Sequence, residues 1–448
     1  MKFQNVKGTR DFYPEDLAVR NWLVERWRSV SLRHGLLEYD GPTFEYLDLY
    51  KAKSGEAIVA DLFHFEDRGG RQLALRPEMT PTLARMVAAR AQSLSKPIKW
   101  FSVPHFFRAE RPQRGRLREF WQWNVDILTE EGEDTLLADV ECIFVALDLL
   151  REIGLAPSQV EMRINSRVLL AEILVAAGLP EQAHGTVYAV LDKRDKLPPE
   201  VFEAELKRLN LADSQLAALI ELGRAPAGQG LEAVQRLTAG RPSAAAALGR
   251  LQEVMSILNE LGIGAYCHVD FSVVRGLAYY TDLVFEAFST GTLRRAILGG
   301  GRYGQLLESL GGPPLSGVGF GMGDVILVDQ LGEMGLLPQA LPGMEFFVAT
   351  DGDVELAQIM RAVALVRQRG HSCGLSYRRG ALKKQLQQAV SHNAAHVIIL
   401  SQDFASGVLR LKNLERGEQV DTSVQEFTRA LERPGGVREM FRAGPAVR

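Results

Sequence analysis

Cysteine is scarce in this chain: Cys142, Cys267 and Cys373 are the three it has, far apart and in no CxxC pair. That spacing excludes a disulfide framework and a thiolate zinc cluster, and it fits a reducing cytosol. No run of about 18 to 20 apolar residues occurs, which excludes a membrane-spanning helix. The first six residues carry neither an apolar signal core nor an Arg-rich transit pattern, so the protein is expected to stay in the cytoplasm. A Gly-Lys dipeptide is also missing, so there is no Walker A loop and any ATP must be bound another way. The net charge of −3 gives no general attraction to nucleic acid, and local balance matters more than the sum. What is present, 46% hydrophobic and 24% charged residues, is the make-up of a globular protein. A length of 448 residues suits two or three domains better than one core.

Along the chain the texture changes. Residues 16–34 space Leu17, Trp22, Leu23, Trp27 and Val30 in a helical rhythm, and short strand-like runs follow at 73–75 and 98–107. Residues 168–260 are rich in Ala and Leu and poor in strand formers, which reads as a helical insertion. Strand character returns at 267–297. Residues 337–343 (Leu-Pro-Gln-Ala-Leu-Pro-Gly) have linker chemistry. Beyond them strands and helices alternate: strand 346–350, helix 354–369, a strand near Leu375, helix 382–393, strands 397–400 and 408–412. That pattern predicts a small separate α/β domain. The tail after Pro434 is expected to be loose, and no internal repeat appears.

Two motifs look like chemistry and are weak. Gly299-Gly300-Gly301-Arg302-Tyr303-Gly304 fits GxGxxG, yet no doubly wound nucleotide domain surrounds it, so a close-packed glycine turn is expected. His392 and His396 have the spacing of metal ligands on a helix but lack the glutamate of a metalloprotease, and they read as surface or capping residues. No metal site is expected from these side chains.

The segment from Phe106 to Gln122 is more specific. Apolar runs flank a polar loop broken by Pro112 and Gly115, the pattern of a hairpin with a long basic tip. Between His105 and Arg118 the arginines Arg108, Arg111, Arg114, Arg116 and Arg118 face one acid, Glu110. An arginine at a strand end can hold a phosphate through two parallel charge-assisted bonds. Arginines on a loop suit a nucleic-acid backbone, and Gln113 can read a base edge.

This segment resembles motif 2 of class II aminoacyl-tRNA synthetases, in the form found in histidyl-tRNA synthetases. Other stretches agree in order: Lys7-Gly8-Thr9-Arg10-Asp11-Phe12 resembles the family's opening and Leu75-Arg76-Pro77-Glu78-Met79-Thr80 its amino-acid-binding strand. Arg275-Gly276-Leu277-Ala278-Tyr279-Tyr280 resembles its histidine motif, and Gly299–Gly304 with Gly319-Phe320-Gly321-Met322-Gly323 the approach to motif 3. Residues 383–386 and 408–414 look like its anticodon-binding domain.

The resemblance implies an α+β fold: an antiparallel-sheet catalytic core, a helical insertion and a C-terminal mixed α/β anticodon-binding-type domain. The boundaries expected are 1–167 and 261–335 for the core, 168–260 for the insertion, 336–344 for a linker, 345–433 for the last domain and 434–448 for the tail. It implies a histidine–tRNA ligase that joins histidine to ATP, releases pyrophosphate and passes the histidyl group to tRNA(His). Arg108 and Arg275 would be the catalytic cations. Glu78, Thr80, Gln122, Asp126, Tyr279 and Tyr280 would hold histidine, with Asp126 where glutamate is usual. Arg108, Glu110, Arg116, Arg118 and Arg275 would hold ATP, accompanied by Mg²⁺. Arg111, Gln113, Arg114, Arg378, Arg379, Lys383 and Lys384 would meet tRNA. A homodimer is implied, with the first long helix and a strand at Gly41-Pro42 in its interface.

The chain departs from the pattern in places. Val325 and Ile326 replace the Glu-Arg that ends motif 3, Ala278 an aspartate and Met79 a glycine. Ile326 cannot bind phosphate, and Arg116 or Arg118 is expected to supply the missing charge. The alternative is a noncatalytic synthetase-like regulatory subunit of ATP phosphoribosyltransferase, which the motif 3 losses favour. Arg108, Arg275 and the C-terminal domain favour the enzyme. A tRNA-binding module without activation chemistry would have no need of Glu78 or Arg275.

Overall fold

The helical rhythm near the N-terminus becomes a helix at Pro14–Arg33, started by a proline in its first turn. Its buried face, Leu23, Trp27, Val30 and Ser31, lies against the central strand of the main sheet. Trp27 stacks on Trp123, whose indole donates to the Ser31 hydroxyl at 2.9 Å. The computed structural model describes residues 3–130, 133–194, 197–224, 231–274, 280–292, 295–304, 306–309, 311–338, 343–378 and 380–441. The chain divides into two compact units, Met1–Pro338 and Gln339–Arg448. No helix among the described residues is long and apolar enough to cross a membrane.

The strands of the first unit are β1 (Leu37–Glu38), β2 (Phe44–Tyr46), β3 (His64–Glu66), β4 (Gln72–Leu75), β5 (Ile98–Ser102), β6 (His105–Phe107), β7 (Glu119–Thr129), β8 (Val160–Ser166), β9 (Cys267–Val269), β10 (Leu283–Ser289), β11 (Ala296–Tyr303) and β12 (Ser316–Gly323). Among the described residues nine of them form one sheet, ordered β1-β5-β7-β12-β11-β10-β8-β9, with β6 paired to β7. Only the edge pairs β1–β5 and β8–β9 are parallel; β5, β7, β12, β11, β10 and β8 run antiparallel in succession. Strands β2, β4 and β3 make a small separate sheet.

Helices Thr135–Glu152 and Pro242–Glu260 share a core with the Pro14–Arg33 helix, built on Trp123, Val125 and Ile127 of β7 and Val318 and Met322 of β12. Asp134 caps helix Thr135–Glu152, accepting from the amides of Leu136 and Leu137. Arg302 ties that helix to β11, donating to Asp139 at 2.8 Å, to the Thr135 carbonyl and to Ser316. The segment read as an insertion is helical in its described residues, from Arg167–Ala176 through Pro242–Glu260, and its leucines join the same core.

The second unit has β13 (Phe346–Thr350), β14 (Cys373–Leu375), β15 (His396–Leu400), β16 (Val408–Asn413) and β17 (Gln419–Ser423), in the order β14-β13-β15-β16-β17. β14, β13 and β15 are parallel and the rest antiparallel, a mixed sheet. Both faces are covered: Phe346, Val348, Ile398 and Leu400 face helices Leu356–Arg367 and Val424–Leu431, while Phe347, Ala349, Val397 and Ile399 face helix Leu382–Ser391.

Several expectations need correction. All of the glycine stretch at 299–304 but Gly304 lies in strand β11 rather than in a turn, since β10 and β12 both pair with it. Gly41-Pro42 is irregular and lies between β1 and β2. Proline donates no amide to a ladder, and a side chain at Gly41 would come within 2.4 Å of Thr82. By contrast, His392 is the exposed C-cap of helix Leu382–Ser391, as a capping residue was expected to be, while His396 opens β15. The tail carries a short helix, Gly436–Met440, whose Val437 and Met440 pack on the second unit's core. Its entry needs a left-handed residue, supplied by Gly435 at φ 73°. β17 was not foreseen, because Gln419 to Ser423 is mostly polar and only Thr422 is buried.

Candidate functional site

Period-two alternation makes β7 the spine of the site. Its residues Trp123, Val125 and Ile127 are buried in the core, so Gln122, Asn124 and Asp126 share the opposite face. Directly across the ladder stand Gly323, Gly321 and Gly319 of β12, and beyond them Gly299 and Gly301 of β11. Bare backbone is what leaves room there. A Cβ on Gly321 would fall 1.6 Å from the Gln122 amide nitrogen, and one on Gly319 would fall 2.4 Å from an Asp126 carboxylate oxygen.

Over this floor lies a chamber of about 140 Å³ lined by Glu78, Thr80, Arg108, Gln122, Asn124, Asp126, Tyr280 and Tyr303. Six residues singled out in the sequence, Glu78, Thr80, Arg108, Gln122, Asp126 and Tyr280, thus converge in one place. Asn124, Tyr303 and Lys53 were missed. The alternation on β7 could have found Asn124, whereas nothing local marks the other two. Tyr303 donates to Asp126 at 2.5 Å. Burial pushes the Asp126 carboxyl up to about 7, against the pull of the Tyr303 hydroxyl and the Lys53 ammonium. Lys53, itself buried, forms an ion pair with Glu78. The chamber therefore already shows a carboxylate that takes an ammonium at one place and a carboxyl poised near neutrality at another.

Arg108, Gln122, Tyr280, Gly299 and Gly321 also line a second, larger cavity of about 380 Å³, so the two chambers adjoin. The larger one is walled by apolar side chains, among them Val273, Val284, Ile297, Val325 and Ile326, with Arg116, Phe120 and Glu286 as its other notable groups. Arg108 stands at the junction. Its guanidinium donates to the Pro77 carbonyl at 3.2 Å and lies 4.9 Å over the Phe120 ring.

The basic loop closes on a tight turn, in which Gln113 and Arg116 exchange both backbone hydrogen bonds at 2.9 Å and Gly115 takes φ 76°. Arg111, Gln113, Arg114 and Arg116 are exposed on it. Arg116 pairs with Glu110 at 2.7 Å, and Arg118 is turned toward the Glu110 carbonyl, with its stem against Gly8. The opening motif has a structural part here: Arg10 pairs at 2.6 Å with Asp324, which also accepts from the Trp121 amide. Burial raises the Asp324 carboxyl even beside Arg10. Arg275, Ala278 and Tyr279 lie outside the described residues, as does Arg379. In the second unit Arg378, Lys383 and Lys384 are exposed.

Comparison with known proteins decides what this arrangement belongs to. The family model described as histidyl-tRNA synthetase matches residues 8–323. The chain belongs to the histidyl-tRNA synthetase family. The histidine–tRNA ligase of Opitutus terrae is 37% identical over 434 residues, covering 95% of this chain and 98% of that protein. The chloroplastic/mitochondrial histidine–tRNA ligase of Arabidopsis thaliana is 37% identical over 94% of this chain and 85% of its own length. Among solved structures, histidyl-tRNA synthetase from Nostoc sp. superposes with a TM-score of 0.81 at 22% identity, over 97% of this chain and 99% of that one. A Bacillus halodurans protein described as an ATP phosphoribosyltransferase regulatory subunit/histidyl-tRNA synthetase superposes with a TM-score of 0.73 at 24% identity, over 90% and 99%. These two likenesses speak for the fold, which is that of the histidyl-tRNA synthetase family.

Proposed function

We propose that this member of the histidyl-tRNA synthetase family is a histidine–tRNA ligase, with histidine in the smaller chamber and ATP in the larger. The observation that carries the assignment of chambers is Arg108 at their junction, where a carboxylate from one side meets a phosphate from the other. The histidine carboxylate attacks the α-phosphorus of ATP, and the bond from that phosphorus to the bridging oxygen breaks. Pyrophosphate leaves and histidyl-adenylate remains. A hydroxyl of the terminal tRNA ribose then attacks the carbonyl carbon and AMP departs. Charge builds on the α-phosphate in the first step, so a fixed guanidinium there lowers the barrier. Arg108 is that group, and Arg275 is the second cation.

Glu78, aided by Thr80, takes the substrate ammonium, as its pairing with Lys53 supports. Asp126, Gln122 and Tyr280, with Tyr279, complement the imidazole, and an amino acid without ring nitrogens leaves those groups unpaired. Arg116 and Glu110 border the nucleotide, with Arg118 behind them. Mg²⁺ bound with ATP would neutralise phosphate oxygens. No three metal-ligating side chains converge among the described residues, and the buried Glu286 in the cavity wall is the carboxylate that would help hold the ion.

Arg111, Gln113 and Arg114 on the exposed loop meet the tRNA, and the helical segment 168–260 leans on its acceptor stem. Residues 345–433 serve as the anticodon-binding domain, through Arg378, Arg379, Lys383 and Lys384. Tyr377, 89% exposed beside Arg378, offers a ring face for a base. A homodimer fits the exposed apolar residues Phe44, Tyr46 and Phe65 of the small sheet and Leu37 at the edge of the main one. The site of action is the cytoplasm.

The test is charging of tRNA(His) with labelled histidine against the other amino acids. Charging with histidine alone is the expected result. A folded protein that binds histidine and charges nothing would favour the regulatory reading.

A further inference from the structure

We infer that Arg295 is the cation that holds the far phosphates of ATP, the place that Ile326 leaves without charge. This rests on the ATP reading of the larger cavity. A triphosphate spread from Arg108 into that cavity needs a positive group at its other end, because burying phosphate charge without one is costly. The wall there is hydrocarbon, from Val325 and Ile326.

The loop arginines are already engaged. Arg116 is held by Glu110 at 2.7 Å, Arg118 by the Glu110 carbonyl, and Arg114 lies 3.8 Å from Glu333. Arg295 differs. It stands just before β11, its carbonyl fixed by the Ser289 amide at 3.1 Å. Its side chain packs on Gly115 at the cavity's edge. From the position a Cβ on Gly115 would occupy, its Cδ is 3.3 Å away, its Nη1 3.6 Å, and Ile326 Cγ1 3.4 Å. Guanidinium and isoleucine therefore share one spot. Among the described residues no carboxylate forms an ion pair with Arg295, whereas Glu333 is engaged by Arg114 and the Thr292 amide. A half-buried arginine on an anchored backbone, with no acid to neutralise it, is preorganised for an anion.

The test compares ATP with AMP, which lacks the two far phosphates. Calorimetric affinities and Michaelis constants in pyrophosphate exchange are measured for wild type, Arg295→Ala, Arg295→Lys and Arg295→Ala/Ile326→Arg. In Arg295→Ala, ATP affinity should fall about tenfold or more, as for one lost charge-assisted contact. AMP affinity and the histidine Michaelis constant should stay within about twofold, since neither ligand carries the far phosphates that Arg295 would hold. Arg295→Lys should recover part of the loss, and the Ile326→Arg double variant most of it. Unchanged ATP affinity in Arg295→Ala overturns the inference while leaving the ligase reading intact. Equal weakening of ATP and AMP also overturns it. A wild-type protein that binds no ATP would instead sink the ligase reading, and this inference with it.

Discussion

The two sheets of this protein are built on opposite uses of the same alternation. In the smaller unit, β13 and β15 put large apolar side chains on both faces, and helices cover each. In the larger unit, β7 buries Trp123, Val125 and Ile127 on one face and turns Gln122, Asn124 and Asp126 outward over glycines of its neighbours. A sheet sealed on both faces can act only through its edges, its loops and the outer surfaces of the helices that cover it. A sheet with one face kept bare holds its polar groups at fixed spacing on a rigid floor, which is what a transition state needs. Under the proposed function, chemistry falls to the first unit and tRNA recognition to the second.

The comparison breaks most sharply at Arg108. Arg108→Ala should cut histidine-dependent exchange about 100- to 1,000-fold, the usual cost of removing a fixed charge from a developing one. A loss of less than fivefold, against that benchmark, would remove the junction from the mechanism. Removing residues from 344 onward tests the division directly. Adenylate formation should persist within about threefold, because the 1–338 unit has its own core. Charging of tRNA should fall about a hundredfold, as expected when a phosphate-binding surface is lost. Equal loss of both activities would refute the division.

Gly321→Ala sharpens the point about the bare floor. The methyl would displace the Gln122 side chain, so the histidine Michaelis constant should rise about tenfold, the worth of one buried hydrogen bond to a charged group. A variant with normal histidine kinetics would show that Gln122 does not read the substrate.

The smallest effect is a pH dependence. Asp126 has its folded value raised to about 7 by burial, so the fold retains a proton that the unfolded chain gives up. Its stabilising contribution is complete at acid pH and is lost as pH rises from about 4 to about 7. Asp126→Asn cannot ionise, so urea midpoints of variant and wild type should diverge in the variant's favour across that range. Parallel midpoints would mean that Asp126 is ionised in the fold.

Much of the site was legible because it is local. Glu78, Thr80, Arg108, Gln122, Asp126 and Tyr280 lie in motifs whose order along the chain implied a shared pocket, and five of the six hang on or beside strands that alternation or flanking turns could locate. The glycines at 299–301, 319 and 321 were visible, but their meaning was not. A glycine stretch reads as a turn when its neighbours are unknown, and only the pairing of β12 with β7 shows that Gly319 and Gly321 make space for Asp126 and Gln122. Lys53, Tyr303 and Arg295 were illegible for the same reason: each reaches the site from a distant segment, through packing that no local pattern records. The tail helix was hidden by its Gly435-Gly436 start, which resembles a loop until Val437 and Met440 are seen in the core.

The most direct test of the account is exchange of labelled pyrophosphate into ATP by the full chain, with and without histidine, with Arg108→Ala as control. The account predicts exchange that requires histidine and disappears in the variant. A folded protein that binds both histidine and ATP yet exchanges no pyrophosphate would contradict it.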